Sequence, residues 1–320
     1  MIEFQTVWGW QPALYLFLGG MGAGALVFAG ILTLIDRKSN NTTICIAQWS
    51  AAACMAVGLL LLLSELTNPM RGVIAWESFV NPASWMTWGA WGVLAAIVIA
   101  VIAALCTMRT TAAGIAALFK GFKKARPTVC KALAVIGIIL GLFVAVYTGI
   151  LLMSAPGIPF WNTPLLPLLF TISGLDTGAA LVEIIALVVR KRERMTERCS
   201  ELLEKAIIVM VVLEAVVLAA FLLTAGGEGA AGEAAAASVA AITAGSLAPW
   251  FWCLVMLCGL AAPLAASLLA LKAKKGSDTG IIVLSGALGA LIGGCALRFL
   301  VVMAGAHADL VAETVMSILL

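Results

Sequence analysis

The side chains of this sequence that could do chemistry are few, and they stand within long apolar stretches. Seven of them lie inside or at the edge of such stretches: Tyr15, Glu65, Tyr147, Asp176, Glu183, Glu214 and Arg298. A tyrosine hydroxyl donates or accepts a hydrogen bond, and a carboxylate takes up or releases a proton. Ionisable groups inside a membrane are costly and are usually paired or functional. The set is therefore suited to exchanging protons with a ligand or with one another.

An all-α framework is predicted to carry these residues. Hydrophobic residues make up 63% of the chain and charged residues 11%, whereas a soluble domain has about 25% charged residues. A membrane-spanning helix needs about 20 mostly apolar residues. Stretches of that length recur at 12–35, 43–66, 84–107, 129–153, 164–189, 204–225, 247–271 and 280–304. Because helices satisfy their own backbone in hydrocarbon, we predict one integral membrane domain, residues 1–320, with eight spanning helices.

Basic residues assign the two sides of the membrane. Most of the 19 Lys and Arg residues lie in the loops after the first, third, fifth and seventh stretches. Arg71 is the only one in the other loops or the termini. Short loops rich in basic residues stay on the cytoplasmic side. We therefore predict an inner-membrane protein with both termini outside, whose net charge of +3 reflects inner loops rather than nucleic-acid binding.

Depth along the predicted helices places four residues in the outer part of the membrane, where they could surround one site: Tyr15, Glu65, Tyr147 and Arg298. A quinone headgroup has two oxygens that cycle between carbonyl and hydroxyl, so its site needs hydrogen-bond partners, a proton acceptor and apolar or aromatic walls. The two tyrosines supply partners, Glu65 supplies an acceptor, and nearby tryptophans supply walls. The alternative is that the tyrosines are interfacial anchors and that Glu65 pairs with Arg71.

A second polar group lies in the C-terminal half of the chain. Asp176 and Glu214 fall near the middle of the membrane, Glu183 lies deeper, and Arg298 lies further out. These residues are consistent with a proton path, with a buried network paired to Arg298, or with the midplane site of a secondary transporter. Transporter sites are often built on broken helices, and Pro263 is the only proline near the centre of a predicted helix.

Tryptophans are distributed unevenly across the membrane, since all but Trp49 lie toward the outer side. Interfacial tryptophans normally occur at both faces. The excess indicates an aromatic platform for a partner or a flat ring, or else an uneven belt.

The sequence offers few residues that could bind a metal ion or a haem. The eight cysteines lie mostly inside helices and show no C-x-x-C spacing, so we expect packing roles for them. His307 is the only histidine, and a bis-histidine haem needs two. We therefore expect no metal, haem or iron–sulfur cluster in this chain, and any electrons must pass through another subunit.

An internal repeat links the two halves of the sequence. The segment Gly19–Ala25 resembles Ser173–Ala179, and each contains two small residues four positions apart. Such pairs let neighbouring helices approach closely. We predict four-helix repeats over residues 12–153 and 164–304, forming two bundles.

Three sets of motifs are distinctive when taken together. They are YLFLGGMGAG at 15–24, ELTNPMR at 65–71 followed by NPASWMTWG at 81–89, and YTGILL at 147–152 with PFWNTP at 159–164. With them the whole chain resembles the NrfD-like family, also called the polysulfide-reductase membrane-subunit family. Where that family commonly has D-L-G-x-P-x-R, this chain has Glu65 and Thr67 but keeps Pro69 and Arg71.

The resemblance implies a membrane anchor that exchanges electrons between a quinone and an extracytoplasmic, ferredoxin-like iron–sulfur subunit. That subunit is often joined to a molybdopterin catalytic subunit. The resemblance also places the quinone, menaquinone or ubiquinone, near the outer ends of the first four helices. The cofactor-binding residues that we expect are Tyr15, Glu65, Arg71, Trp85, Trp88 and Tyr147.

The function predicted from these observations is quinol oxidation at the outer face. Glu65 is expected to accept the proton, while Tyr15 and Tyr147 orient the ring. Electrons then pass to an iron–sulfur partner docked on the tryptophan-rich surface, although quinone reduction is equally consistent with the sequence. Two other classes stay open, namely a purely structural anchor and a secondary transporter that uses Asp176, Glu183, Glu214 and Arg298.

Overall fold

Helices account for almost all of the backbone in the part of the chain that the structure describes. The computed structural model describes residues 3–64, 85–119, 121–155, 157–273 and 279–308, apart from the side chain of Met86. Within these ranges, eight helices are long and apolar enough to cross a membrane. The prediction of an all-α polytopic membrane protein is confirmed.

Spanning helices alternate with short surface elements along the described chain. In order, the elements are β1 (Glu3–Phe4), α1 (Trp10–Asp36), α2 (Asn41–Ser64), α3 (Trp85–Thr107), α4 (Arg109–Leu118), α5 (Phe122–Met153), α6 (Leu165–Val189), α7 (Glu197–Thr224), α8 (Gly229–Thr243), α9 (Ala248–Lys272), α10 (Gly280–Met303) and β2 (Ala306–His307). Helices α4 and α8 are the two that do not span. Helix α4 lies between the third and fourth spans and α8 between the sixth and seventh, so the alternation of the spans puts them on opposite sides of the membrane.

Two spanning helices begin earlier than hydropathy predicts. Helix α5 starts at Phe122 rather than at 129, and α7 starts at Glu197 rather than at 204. The added turns are polar, and in α7 the side chain of Lys205 pairs with Glu201 at 3.2 Å. A helix can continue past the hydrocarbon because its backbone bonds do not depend on apolar side chains. Segment 226–246, which shows no spanning pattern, contains α8.

The spanning helices form two four-helix bundles with the same packing. In the first bundle, α1 and α3 each pack against both α2 and α5. In the second, α6 and α9 each pack against both α7 and α10. Helices α1 and α6 pack against each other and join the bundles. The outward faces carry exposed apolar side chains such as Leu223 and Ile281, as a lipid-facing surface requires.

Glycines allow α1 and α6 to cross closely at the centre of the molecule. Gly20 lies against Gly174, and Gly24 lies against Gly178, so each glycine meets its counterpart in the repeated motif. Contacts between equivalent residues are what a two-fold axis between two like units produces. These paired contacts agree with the repeats over residues 12–153 and 164–304, which stay a prediction.

The outer ends of the bundles are tied together by the two described ends of the chain. Strand β1 pairs antiparallel with β2. The side chain of Gln5 donates a hydrogen bond to the carbonyl of Val302 at 2.9 Å, and the indole of Trp161 donates to the carbonyl of Val301 at 2.8 Å. Both described ends therefore lie on the same side of the bundle, as predicted from charge.

Helix α9 is irregular where the sequence has Pro263. Residues Phe251–Ala261 form a π-helical segment, in which the N–H of Ala262 donates to the carbonyl of Leu257. Proline cannot donate the next bond of this ladder. Gly259 lies against Gly293 of α10, so the widened helix is closely packed at this point.

Candidate functional site

Tyr15 of α1 and Tyr147 of α5 are both buried inside the first bundle. Their exposed fractions are only 3% and 4%, and their phenol groups are close enough to interact electrostatically. Among the described residues neither hydroxyl has a hydrogen-bond partner. Their burial sets them apart from interfacial anchors, which stand at the lipid surface. The site therefore offers two hydroxyl groups that a ligand can bind.

Glycines of neighbouring helices receive the two tyrosine rings. The ring of Tyr15 lies beside Gly58 of α2, where an added Cβ would stand 3.4 Å from Cδ2. The ring of Tyr147 lies on Gly89 of α3, and an added Cβ would overlap it. Helix α3 thus approaches Tyr147 closely only because Gly89 lacks a side chain, whereas an added Cβ at Gly58 would make an ordinary contact with Tyr15.

Helix α3 holds a second aromatic ring in the same way. Phe143 lies on Gly92, one turn from Gly89. The rings of Phe143 and Tyr147 are parallel within 8°, with centroids 6.4 Å apart. The two glycines form a groove in α3 that holds both rings of α5. The backbone of α3 and the ring of Phe143 thereby restrict where the phenol of Tyr147 can lie.

The other residues predicted for this site are only partly described. Trp85 lies one turn before Gly89 on the same face of α3, since positions four apart in a helix are neighbours. Trp85 and Trp88 are 56% and 55% exposed, so they border the site toward the outside rather than enclose it. Glu65 and Arg71 lie outside the described residues.

The outer tryptophans are not all surface residues. Six of them are more than half exposed: Trp10, Trp85, Trp88, Trp91, Trp250 and Trp252. Trp161 is fully buried, and its ring packs against Trp8 with centroids 5.6 Å apart. Trp161 therefore belongs to the core and not to a docking platform, because its indole nitrogen is used by the backbone of α10.

Arg298 is fully buried where α6 and α10 meet α1. Its guanidinium donates to the Ser173 hydroxyl at 2.7 Å, to the Gly294 carbonyl at 2.8 Å and to the Phe170 carbonyl at 3.2 Å. It also lies 5.1 Å from the centroid of the Phe170 ring, within cation–π range. Within the described chain no carboxylate forms an ion pair with it. The expected pairing of carboxyls with Arg298 is therefore an electrostatic interaction at longer range and not a salt bridge.

Three carboxyl groups lie inside the second bundle, and two of them, Asp176 and Glu214, interact electrostatically with this arginine. Asp176, Glu183 and Glu214 are 2%, 6% and 4% exposed. Asp176 interacts electrostatically with both Glu214 and Arg298. Oδ1 of Asp176 and Nε of Arg298 are buried without a hydrogen-bond partner in the described structure. The hydrogen-bonding capacity of these two side chains is therefore not fully used, whereas buried polar atoms normally have partners.

A fourth buried carboxyl, Glu204, escapes the sequence analysis. Hydropathy starts the sixth helix at this residue, whereas α7 begins two turns earlier, so Glu204 lies inside the bundle and is 4% exposed. It stands beside Ser267 of α9 and interacts with Glu183. Its Oε2 atom has no hydrogen-bond partner among the described groups. The helical pattern of polar residues before 204 is the signal that could have revealed it.

Metal-binding geometry is not found in the described part of the chain. No group of three His, Cys, Asp or Glu residues there could hold a metal ion. The cysteines are unpaired thiols.

The architecture and the buried polar residues define a polytopic helical membrane protein with a tyrosine-lined site near one face. Residues 3–308 match the family described as polysulphide reductase, NrfD. The chain belongs to this family.

Two relatives are similar over nearly their full lengths. The sequence is 32% identical to the C chain of the polysulfide reductase of Wolinella succinogenes, over 95% of this protein and 96% of that one. It is 29% identical to protein NrfD of Escherichia coli, over 94% of this protein and 95% of that one.

Proposed function

We propose that this protein is the membrane subunit of an oxidoreductase complex and that it oxidises a membrane quinol near the outer face. One relative is named as a single chain of a polysulfide reductase. A protein without described metal or cluster ligands needs a partner that carries electrons onward. The proposed partner is an extracytoplasmic, ferredoxin-like iron–sulfur subunit, joined to a molybdopterin subunit, in the bacterial inner membrane.

The observation that carries this proposal is the pair of buried side chains Tyr15 and Tyr147, whose hydroxyls have no hydrogen-bond partner among the described residues. Polar groups inside a protein are generally hydrogen-bonded, so two such hydroxyls in one bundle are suited to a polar ligand. Phe143 and Trp85 provide aromatic surface beside them. Menaquinone and ubiquinone both present a flat ring with oxygens at opposite edges, which fits hydroxyl groups above apolar walls.

The chain's own residues would bind the ring and accept its protons. A bound quinol supplies two electrons and two protons when it becomes a quinone. Tyr15 and Tyr147 would hold the ring oxygens by hydrogen bonds, and Glu65, which follows α2 in the sequence, would accept a proton. Arg71 and Trp88 would also contribute to binding the ring, because both belong to the motifs that this chain shares with the family. The exposed tryptophans would contribute to the surface on which the iron–sulfur subunit docks.

Binding of a quinol analogue to the purified complex tests this proposal. We expect the analogue to quench tryptophan fluorescence in the wild type. Tyr147→Phe and Tyr15→Phe should each weaken binding about tenfold, because a hydrogen bond contributes about 1 kcal/mol or somewhat more. Glu65→Gln should slow electron transfer.

Thr33→Val is a matched control for the tyrosine variants. Thr33 is a buried hydroxyl at the inner end of the same helix as Tyr15, where it donates to the carbonyl of Ala29. This variant should bind the analogue as the wild type does. Absence of binding to the wild type would reject the quinone site and favour the secondary transporter. Binding that is insensitive to both tyrosine variants would move the site elsewhere.

A further inference from the structure

The inner side of the second bundle contains a polar cavity that the quinone site does not use. The cavity has a volume of about 590 Å³ and lies among α6, α7, α9 and α10. Glu183 and Glu204 line it together with the exposed Glu201–Lys205 pair. The basic residues Arg190 and Arg194 also line it, which places it on the cytoplasmic side. Water from that side can thus reach two buried carboxyl groups.

Four carboxyl groups continue from this cavity toward the middle of the membrane. Glu204 of α7 interacts with Glu183 of α6, and Glu183 in turn interacts with Asp176. Asp176 interacts with Glu214 of α7. Asp176 and Glu183 are two turns apart on one face of α6, a rise of about 10.5 Å. The groups therefore form a ladder across the contact between α6 and α7.

The ladder is incompletely hydrogen-bonded, unlike a structural network. Buried polar atoms are normally hydrogen-bonded, yet Oε2 of Glu204 and Oδ1 of Asp176 have no partner among the described residues. The guanidinium of Arg298 is bound by a hydroxyl and two carbonyls rather than by a carboxylate. Glu214, Cys295 and Asp176 interact with Arg298 electrostatically. Packing alone does not explain four carboxyls with these properties.

The geometry points to a proton path that opens to the cytoplasmic side at the cavity, runs through Glu204, Glu183, Asp176 and Glu214, and ends beside Arg298. Each carboxylic acid gives its proton to the next carboxylate through intervening water, since Asp176 and Glu183 are too far apart along α6 for direct transfer. No electrons move, and the carboxylate left behind takes up the next proton from the cavity side. Water in the cavity supplies or receives the proton at the inner end.

The path ends close to the proposed quinone site. Arg298 lies against Gly20 of α1, where an added Cβ would stand 3.2 Å from its guanidinium. Tyr15 is five residues further out on α1, a rise of about 7.5 Å. Protons of the quinone reaction could thereby be exchanged with the cytoplasmic side. Only this coupling rests on the proposed function, since the path itself needs no quinone.

Hydrogen–deuterium exchange of buried carboxylic acids tests the path directly. The C=O stretch of a protonated carboxyl is resolved by infrared spectroscopy and shifts when its proton is replaced by deuterium. The full chain in lipid nanodiscs would be transferred from H₂O to D₂O. The bands of Asp176 and Glu214 would be assigned by their loss in Asp176→Asn and Glu214→Gln.

We expect rapid deuteration of these bands in the wild type. Glu204→Gln and Glu183→Gln should slow it roughly a hundredfold, the lower range of what a positioned proton carrier contributes. Glu204→Asp should restore part of the rate. Glu201→Gln is the matched control, because Glu201 is an exposed carboxyl one turn away on α7, and it should exchange as the wild type does.

Two results would overturn the path. One is a wild-type spectrum in which no band that depends on Asp176 or Glu214 becomes deuterated. The other is an unchanged rate in both Glu204→Gln and Glu183→Gln, with thermal unfolding showing that each variant is folded. Glu204→Gln should bind the quinol analogue as the wild type does, so loss of the quinone site and loss of the path are separable results.

Discussion

The ring of Tyr147 lies directly on the backbone of Gly89, with no room for a Cβ between them. The contact joins α5 to α3 at the level of the proposed quinone site. Gly92 receives Phe143 in the same manner, and the stacked rings of Phe143 and Tyr147 fill the groove. Gly89 of α3 thus determines where the phenol of Tyr147 on α5 can lie.

Gly89→Ala should move Tyr147 and weaken quinol binding. The added methyl would overlap the ring, and overpacking of this kind costs about 1–3 kcal/mol. We expect binding of the quinol analogue, measured by fluorescence quenching, to weaken about tenfold or more.

Gly114→Ala is the control for Gly89→Ala. Gly114 is in the surface helix α4, and an added Cβ there meets nothing within 4 Å. This variant should keep wild-type affinity and gain slightly in stability, because alanine is the better helix former. Equal affinities in the two variants would show that Gly89 does not position Tyr147.

Gly24→Ala should destabilise the contact between the two bundles. An added Cβ would collide with the carbonyl of Gly174 on α6, and backbone cannot move aside as a flexible side chain can. We expect a loss of about 1–3 kcal/mol, measured as a lower midpoint of unfolding in detergent. In Gly178→Ala the added Cβ would meet the backbone of Gly24. The losses of stability caused by the two substitutions should therefore not add up in the double variant. Additive losses would indicate that the two positions act independently.

Ser173→Ala should destabilise the second bundle through Arg298. It removes the acceptor of the 2.7 Å hydrogen bond from the guanidinium and leaves a buried charged donor with one partner fewer. Such a loss costs about 1–3 kcal/mol. The check is the unfolding midpoint in detergent, compared with Ser285→Ala. Ser285 is exposed on α10 and donates to the carbonyl of Ile282, so its loss should have little effect.

Trp161→Phe should loosen the outer ends of the bundles. It keeps most of the buried ring but removes the donor to the Val301 carbonyl at 2.8 Å, which should cost about 1–3 kcal/mol because the acceptor stays buried. Proteolysis of the N-terminal segment around Gln5 should become faster. Trp252→Phe is the control, since Trp252 is 53% exposed although it also donates to a backbone carbonyl. Equal proteolysis rates in both variants would show that the hydrogen bond of Trp161 does not hold the outer ends of the bundles together.

The candidate site was predictable in part because depth can be read from the chain. Tyr15 and Tyr147 were selected by their types and by their level along the helices, and the structure brings them together. Glu204 was missed because hydropathy marks the edge of an apolar stretch, while the helix continues as long as its backbone bonds do. Trp161 was placed on the surface for a similar reason, since its level in the membrane says nothing about which way it faces.

By itself the sequence determined the number of spans, their type and the family motifs, and it predicted the orientation of the spans from charge. Hydrocarbon leaves the backbone so few options that length and polarity suffice for these features. The partners of each side chain were decided only by the tertiary structure: Tyr147 with Gly89, Gly24 with Gly178, and Arg298 with Ser173. Rise along a helix is set by the backbone, but rotation about its axis and the choice of neighbours are set by how helices pack.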